Sequence, residues 1–182
     1  MLPPTPTLFV FSGLPGVGKT TLARRLARRV NAIWLRIDTI EQGLRDLCQV
    51  DVGGEGYRLA YRLACDNLAN GLSVVADCCN PVELTRGEWA EVSSDAHARH
   101  VDIEIRCSDP MEHRSRVTDR KGDIPGLRLP DWSAVMSREY HPWRDRVISI
   151  DTAGVDADEA FRRLLAALDL SAPFPGDRHG AS

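Results

Sequence analysis

Eight consecutive residues hold the most recognisable chemistry of this sequence: Gly13-Leu14-Pro15-Gly16-Val17-Gly18-Lys19-Thr20. They match the P-loop pattern G-x-x-x-x-G-K-S/T, in which glycines let the backbone curl so that several N–H groups point at one phosphate. The lysine can reach the outer phosphates of a nucleotide, and the threonine hydroxyl can hold Mg²⁺. We therefore predict that a nucleotide is bound by this loop and the residue after it, namely by Gly13, Gly16, Val17, Gly18, Lys19, Thr20 and Thr21.

Two aspartates follow predicted strands, where phosphoryl transfer would need them. Transfer requires a metal ion, cations around the moving group and a residue that orients the nucleophile. Asp38 can accept a proton from a substrate hydroxyl, although the same residue type also suits a helix N-cap. Asp77 ends an apolar run, as a magnesium-binding carboxylate does, although a turn aspartate before Pro81 would look the same. We predict Asp38 as the acceptor base and Thr20 with Asp77 as the metal ligands.

Arginines cluster beside a stretch rich in glycine and proline. This pattern predicts a lid at about residues 114–130 that closes over the nucleotide, expels water and stabilises charge on the transferred phosphoryl group. A solvated basic helix face would use the same residues. We predict Arg116 and Arg120 as catalytic residues together with Lys19, and Arg114 as a further nucleotide contact.

Other polar side chains near these positions could line an acceptor pocket beside Asp38. Each of them is also typical of an ordinary surface or half-buried position, and Asn80 equally suits a turn before a proline. Cys78 and Cys79 are close in sequence, but no histidine partner is evident, so we assign them no role. The predicted acceptor contacts are Asp38, Glu41, Arg45, Tyr57, Asn80 and Arg86, with Tyr61 as a further candidate.

Strand and helix patterns alternate along the chain, which predicts an α/β fold of three layers with a five-stranded parallel sheet and helices on both faces. The phosphate site should lie at the carboxyl ends of the strands. We expect a flexible N-terminus at residues 1–6, one domain at 7–170 and a disordered tail at 171–182. The predicted strands are 7–11, 32–37, 72–76, 101–107 and 147–150, and the predicted helices are 21–30, 38–48, 57–70, 81–97, 109–119, 131–140 and 156–168.

Composition excludes several other classes of protein. The 182 residues suit a single core, and the net charge of −3 provides no basic field for nucleic acid. The five cysteines lack a CxxC spacing, so we interpret them as free thiols of a reducing cytoplasm. No apolar run is long enough for a membrane span and the N-terminus lacks signal-peptide character, so we expect a cytoplasmic monomer or homodimer without a membrane partner.

The chain resembles small P-loop kinases of the polynucleotide-kinase-like and zeta-toxin-like group, often labelled AAA-type ATP-binding proteins. The resemblance covers roughly residues 7–168 and is carried by the following segments: 9–23, 35–38, 74–77 with Asn80 and Arg86, and 107–110 leading to Arg114, Arg116 and Arg120. It implies a sheet like that of nucleoside-monophosphate kinases, transfer of the γ-phosphate of ATP, Asp38 as base and an arginine-bearing lid. Polynucleotide kinases carry an arginine three residues after this aspartate, where the present chain has Glu41, so a nucleic-acid acceptor is not expected.

The function that we expect is an ATP- and Mg²⁺-dependent kinase acting on a hydroxyl of a metabolite, nucleoside or antibiotic-like compound. The alternatives are a regulatory ATPase or switch without an acceptor, a 5′-hydroxyl polynucleotide kinase, and specificities like those of adenylate or shikimate kinases. Three absences weigh against common switches and motors. The sequence has no Asn-Lys-x-Asp segment for guanine and no Leu-Ser-Gly-Gly-Gln signature, and Cys78 rather than Glu follows Asp77.

Overall fold

Strands and helices alternate in the computed structural model, which describes residues 5–144 and 146–171. In chain order the elements are β1 (Thr7–Ser12), α1 (Lys19–Arg29), β2 (Ile33–Arg36), α2 (Ile37–Cys48), α3 (Glu55–Ala69), β3 (Val74–Asp77), α4 (Glu83–Asp95), β4 (Arg99–Arg106), α5 (Pro110–Thr118), α6 (Trp132–Met136), β5 (Ile148–Asp151) and α7 (Ala157–Ala167). Residues 1–4 and 172–182, which hold most of the predicted flexible N-terminus and tail, lie outside the described residues.

The five strands form one parallel sheet in the order β2-β3-β1-β4-β5. The predicted fold class, a three-layer α/β sheet, is confirmed. Arg36 at the end of β2 lies opposite Asp77 of β3, which lies opposite Phe11 of β1. The carboxyl ends of these three strands are therefore level, and the segments that follow them meet at one edge of the sheet.

The central strand β1 is apolar throughout because both of its faces are buried. Leu8 and Val10 belong to a cluster with side chains of α3 and α4, whereas Phe9 and Phe11 belong to a cluster with side chains of α1 and α7. This alternation is what a strand between two helical layers requires. Burial of a side chain of this size contributes about 1.5–3 kcal/mol relative to exposure, so β1 anchors the loop that follows it.

Helix boundaries differ from the sequence predictions in informative places. Helix α2 begins at Ile37, so Asp38 lies inside the first turn and makes no N-cap hydrogen bond. Helix α6 ends at Met136 and not at residue 140. On α3, Leu59 and Leu63 are exposed, because the face that packs on the sheet is built from small residues and Leu68.

None of the helices in residues 5–144 and 146–171 has both the length and the apolar character needed to cross a bilayer.

Candidate active site

A cavity of about 830 Å³ lies at the carboxyl edge of the sheet. Its lining residues are grouped here by the elements that carry them. The loop at residues 15–20, Arg116, which is bonded to Thr152, and the residues around Thr152 and Asp156 are called the P-loop half, and Asp119 and Arg120 line the cavity as well. The other part, called the α2 half, is lined by α2, Tyr57, residues 126–130 and Arg138. Asp77 lines the same cavity.

Glycines give the loop its shape. Gly13 and Gly16 have φ angles of 133° and 88°, in the region that residues with a side chain rarely adopt. A Cβ on Gly13 would lie 2.1 Å from the carbonyl oxygen of Ile105, and one on Gly16 would lie 2.5 Å from Cγ2 of Val117. Only glycine therefore allows the loop to pass this close to β4 and α5.

Three contacts from distant segments hold the loop from outside. The Gly13 N–H donates to the carbonyl oxygen of Cys79 at 3.0 Å, and the Nε2 atom of buried His113 lies 2.8 Å from the carbonyl oxygen of Pro15. The Thr152 hydroxyl donates to the carbonyl oxygen of Val17 at 3.0 Å. Sequence reasoning missed His113 and Thr152, since neither residue belongs to a recognisable motif.

Lys19, Thr20 and Asp77 meet at the floor of the cavity. The buried Lys19 ammonium donates to the carbonyl oxygen of Leu14 at 2.8 Å, and the Thr20 hydroxyl donates to Oδ1 of Asp77 at 3.3 Å. Burial raises the pKa of Asp77, and the charge of Lys19 and the hydrogen bond from Thr20 oppose that rise. The structure thus brings together the predicted phosphate and metal residues.

The donor set at this floor fits a magnesium ion held jointly with a nucleotide. The Oδ2 atom of Asp77 is buried and has no hydrogen-bond partner among the described residues, while carboxylate and hydroxyl oxygens are ligands that Mg²⁺ accepts. No group of three or more His, Cys, Asp or Glu side chains suited to a metal occurs in the described part of the chain. Protein and phosphate oxygens would therefore share such an ion.

Two of the three predicted arginines line the cavity. Arg116 donates to the Thr152 hydroxyl at 2.8 Å and to its carbonyl oxygen at 2.9 Å, and it also pairs with Glu112. Arg120 lines the cavity half-buried. Arg114 is exposed and does not line the cavity, contrary to its assignment as a nucleotide contact. It projects about 200° away from Arg116 because the two are two residues apart on α5.

The predicted lid divides into a helix and a loop. Residues 114–118 belong to α5, whereas residues 119–130 form neither helix nor strand and are here called the 119–130 loop. Arg36 at the end of β2 pairs with Asp123 of this loop through two hydrogen bonds of 2.7 and 2.8 Å. Arg36 is buried and Asp123 is largely exposed, so a buried side chain at the sheet edge holds this loop through its exposed aspartate.

Asp38 and Glu41 project from α2 into the cavity. The Asp38 side chain makes no hydrogen bond to another described residue, which leaves its carboxylate available to a ligand. Glu41 accepts a hydrogen bond from Arg45 at 3.2 Å. Burial raises the pKa of Glu41, and its hydrogen bond and charge contact with Arg45 oppose that rise. Tyr57, on α3, also lines the cavity.

Asn80, Arg86 and Tyr61 do not line the cavity, so the structure does not support them as acceptor contacts. Arg86 is buried, and its guanidinium donates to four backbone carbonyl oxygens, those of Asn80, Pro81, His141 and Pro142. Asn80 is fully buried, and its N–H donates to the Tyr57 hydroxyl at 3.0 Å. Tyr61 packs edge-to-face on Trp89. These residues form the wall behind Tyr57.

The polar cavity residues that were not predicted from the sequence include Gln42, Arg138, Thr152 and Asp156, and Arg128 was predicted only as part of the lid. Arg138 was placed inside a predicted helix, and the irregular course of the chain after Met136 instead brings it to the α2 half. Nothing in residue type or spacing distinguishes it from a surface arginine.

Comparison with known proteins gives consistent results. A family model described as an AAA domain matches residues 8–137. An uncharacterised protein of Mycobacterium tuberculosis is 30% identical over 173 residues, which are 82% of this chain and 32% of that protein. The chain thus spans about a third of that relative's length. It is also similar to a shikimate kinase of Frankia casuarinae, with 31% identity over 170 residues, 88% of this chain and 72% of that protein.

Two solved structures illustrate the likeness of fold. A putative kinase from Chloroflexus aurantiacus has a TM-score of 0.69 at 20% identity and covers 90% of this chain and 98% of its own. An APS kinase of Mycobacterium tuberculosis, solved in complex with AMPPNP and APS, has a TM-score of 0.64 at 18% identity and covers 92% and 99%. At this identity the comparisons show that the fold is shared.

Proposed function

Because the chain belongs to the AAA domain family and has the fold of P-loop kinases, we propose that it is an ATP-dependent kinase that phosphorylates a hydroxyl of a small-molecule acceptor. The resemblance based on the P-loop and the strand-end aspartates is confirmed at the level of the family. The observation that carries the proposal is one cavity lined by both the P-loop and Asp38. A triphosphate in the P-loop half would point its outer phosphate toward the α2 half.

In the P-loop half, the proposed role of the chain is to hold and polarise the triphosphate. Backbone N–H groups and the Lys19 ammonium bind its phosphates, and Arg120 faces the charge that develops on the γ-phosphoryl group. Arg116 donates hydrogen bonds to Thr152 and so holds in place the segment around Thr152 that lines the cavity beside the P-loop. Thr20 and Asp77 would hold Mg²⁺, which neutralises charge on the β- and γ-phosphate oxygens when bound.

In the α2 half, Asp38 is the proposed base. Its carboxylate accepts the proton of the acceptor hydroxyl while the hydroxyl oxygen forms a bond to the γ-phosphorus. The bond between that phosphorus and the bridging oxygen breaks, and ADP leaves with the electron pair. The position of Asp38 in the cavity wall, with no hydrogen bond to another described residue, supports this role because its carboxylate is available to an acceptor hydroxyl.

The compared proteins support ATP as the phosphate donor and a small molecule as the acceptor. One solved neighbour is bound to AMPPNP, an ATP analogue, and one relative is named a shikimate kinase. A regulatory switch binds only a nucleotide and would not require the additional part of the cavity that the α2 half lines. The cavity therefore favours a kinase over the switch.

The decisive experiment screens transfer of γ-labelled phosphate from ATP, with Mg²⁺, to nucleosides, sugars, hydroxy acids, aminoglycosides and 5′-hydroxyl oligonucleotides. We expect a phosphorylated small molecule together with equimolar ADP. ATP hydrolysis without transfer to any compound would favour the switch, and labelled oligonucleotide would favour a polynucleotide kinase. Arg62→Ala is the control variant, because Arg62 is exposed on α3 and does not line the cavity.

A further inference from the structure

The α2 half contains an arrangement of charges that the transfer reaction itself does not use. Glu41 accepts a hydrogen bond from Arg45 at 3.2 Å, and the positive charge of Arg138 also acts on it. Both arginines line the cavity, although one comes from α2 and the other from the segment after α6. Glu41 is therefore paired with Arg45 and also lies within the field of Arg138 and Asp38, while the side chain of Arg138 has no hydrogen bond or ion pair to another described residue.

A second arginine without a described partner lines the α2 half. Arg128 of the 119–130 loop lines the same cavity, and this loop approaches α2 so closely that a Cβ on Gly126 would lie 3.1 Å from Nε2 of Gln42. Within residues 5–144 and 146–171, no hydrogen bond or ion pair engages the side chain of Arg128 or Arg138. Arg45 is paired with Glu41, whereas Arg128 and Arg138 line the cavity without such a partner.

The triphosphate does not account for these two unpaired arginines. Lys19 supplies positive charge at the P-loop, and Arg116 and Arg120 line the same cavity. The cations of the α2 half line the part of the cavity that also holds Asp38, where the acceptor would bind. Their natural counter-charge is therefore on the acceptor.

A glycine on α3 keeps Glu41 in this arrangement. A Cβ on Gly56 would lie 2.3 Å from Cγ of Glu41, so the glycine leaves the space in which the Glu41 side chain runs. Glycine inside a helix is less stabilising than alanine, yet α3 has a glycine in its first turn, where the Glu41 side chain runs toward Arg45.

From this arrangement we infer that the acceptor carries an anionic group, a carboxylate or a phosphate, in addition to its reacting hydroxyl, and that Arg45 and Arg138 bind that group. The inference rests on the proposed kinase function and adds the chemical class of the acceptor. A planar guanidinium can pair with either anion through two hydrogen bonds, which also fixes the orientation of the acceptor hydroxyl toward Asp38. Loss of one such contact should weaken acceptor binding about tenfold to a hundredfold.

The first test measures anion binding with the nucleotide site filled. Protein saturated with Mg²⁺ and AMPPNP is titrated separately with acetate and with inorganic phosphate, and the arginine Nε–H resonances are followed by NMR. We expect saturable binding of one or both anions, weakened at least tenfold in Arg138→Gln. The matched control is Arg144→Gln, because Arg144 is exposed, pairs with Glu83 and does not line the cavity.

The relative affinity of the two anions identifies the source of the charge. Tighter acetate binding indicates a hydroxy acid, and tighter phosphate binding indicates a phosphorylated acceptor. Absence of saturable binding by either anion, or wild-type binding by Arg138→Gln, overturns the inference. A failure to take up AMPPNP at all would instead count against the proposed function.

The second test uses the acceptor that the transfer screen identifies. We expect it to be an anion, to be used much better than its uncharged alcohol or amide analogue, and to show a raised KM in Arg138→Gln while the KM for ATP is unchanged. Equal use of the charged and uncharged forms would refute the anionic class and leave the kinase function standing.

Discussion

The two halves of the cavity are built by different means. In the P-loop half the ligand-facing groups are mainly backbone atoms, fixed by left-handed glycines and by contacts from His113 and Thr152. In the α2 half they are long side chains from four separate segments, held by ion pairs such as Arg45 with Glu41. One half is therefore set by the backbone and suits an invariant triphosphate, while the other can change its acceptor through side chains alone.

Lys19→Ala is the strongest way to disable the P-loop half alone. Because the ammonium is a buried cation at the phosphate site, its loss should lower the transfer rate about 10³-fold. The fold should persist, as judged by circular dichroism, because the described hydrogen bond of the Lys19 ammonium goes to the Leu14 carbonyl of the same loop. Arg62→Ala should retain wild-type turnover, because Arg62 is exposed and outside the cavity. Unchanged turnover in Lys19→Ala would mean that Lys19 does not bind phosphate.

Asp38→Asn addresses the α2 half alone. Removal of a general base should reduce transfer to the acceptor about 10²-fold or more, while AMPPNP affinity measured by calorimetry stays within about twofold. Asp66→Asn on α3 is the matched control, since Asp66 is exposed and outside the cavity. An equal fall in nucleotide affinity and transfer would show that Asp38 serves the P-loop half and would weaken the distinction between the halves.

Two glycine substitutions sharpen the contrast between backbone and side-chain construction. Gly13→Ala meets a backbone carbonyl oxygen at 2.1 Å and should destabilise the protein by about 3 kcal/mol or more. Gly126→Ala, at a φ of 78°, meets the tip of the Gln42 side chain at 3.1 Å, so about 1 kcal/mol is expected.

Urea denaturation measures both free energies of unfolding. Gly43→Ala is the control, because a Cβ there meets nothing within 4 Å and the residue lies inside a helix, where alanine should stabilise by up to about 1 kcal/mol. Equal destabilisation at positions 13 and 126 would contradict the proposed difference in construction.

The smallest expected effect is a pH dependence that originates in Asp77. Burial raises its pKa, so protons compete with Mg²⁺ from a higher pH than they would at an ordinary carboxyl group. The Mg²⁺-dependent gain in AMPPNP affinity should therefore decrease as the pH falls through that raised pKa, and Asp77→Asn should abolish the gain. The stability of the ligand-free protein changes in the opposite sense, because the raised pKa stabilises the fold at low pH and that contribution disappears as the pH rises. A pH-independent Mg²⁺ effect would contradict this assignment.

The backbone-built half could largely be predicted from the sequence. A glycine pattern reports directly on allowed φ angles, and an apolar run such as β1 reports on a strand buried on both faces. The parallel sheet and the residues at the cavity floor could therefore be predicted from the sequence. The contacts from His113 and Thr152 could not be inferred, because they depend on which loops the fold brings beside the P-loop.

The side-chain-built half was predicted less well, for physical reasons. Arg86 and Arg138 are both arginines close to predicted elements, yet one satisfies four buried carbonyl groups and the other lines the cavity. Arg114 and Arg116 differ only in the face of α5 on which they lie. Residue type does not distinguish such cases. For Arg138 the deciding feature is the end of α6 at Met136, because it determines the course of the segment that follows.

The ion pair between Arg36 and Asp123 determines how the 119–130 loop responds to ionic strength. Its arginine is 7% exposed and its aspartate 57% exposed, so dissolved ions reach the loop side of the pair but not the sheet side. Added salt should therefore weaken the hold of the sheet edge on the 119–130 loop only modestly, and it should affect the buried floor with Lys19 and Asp77 even less.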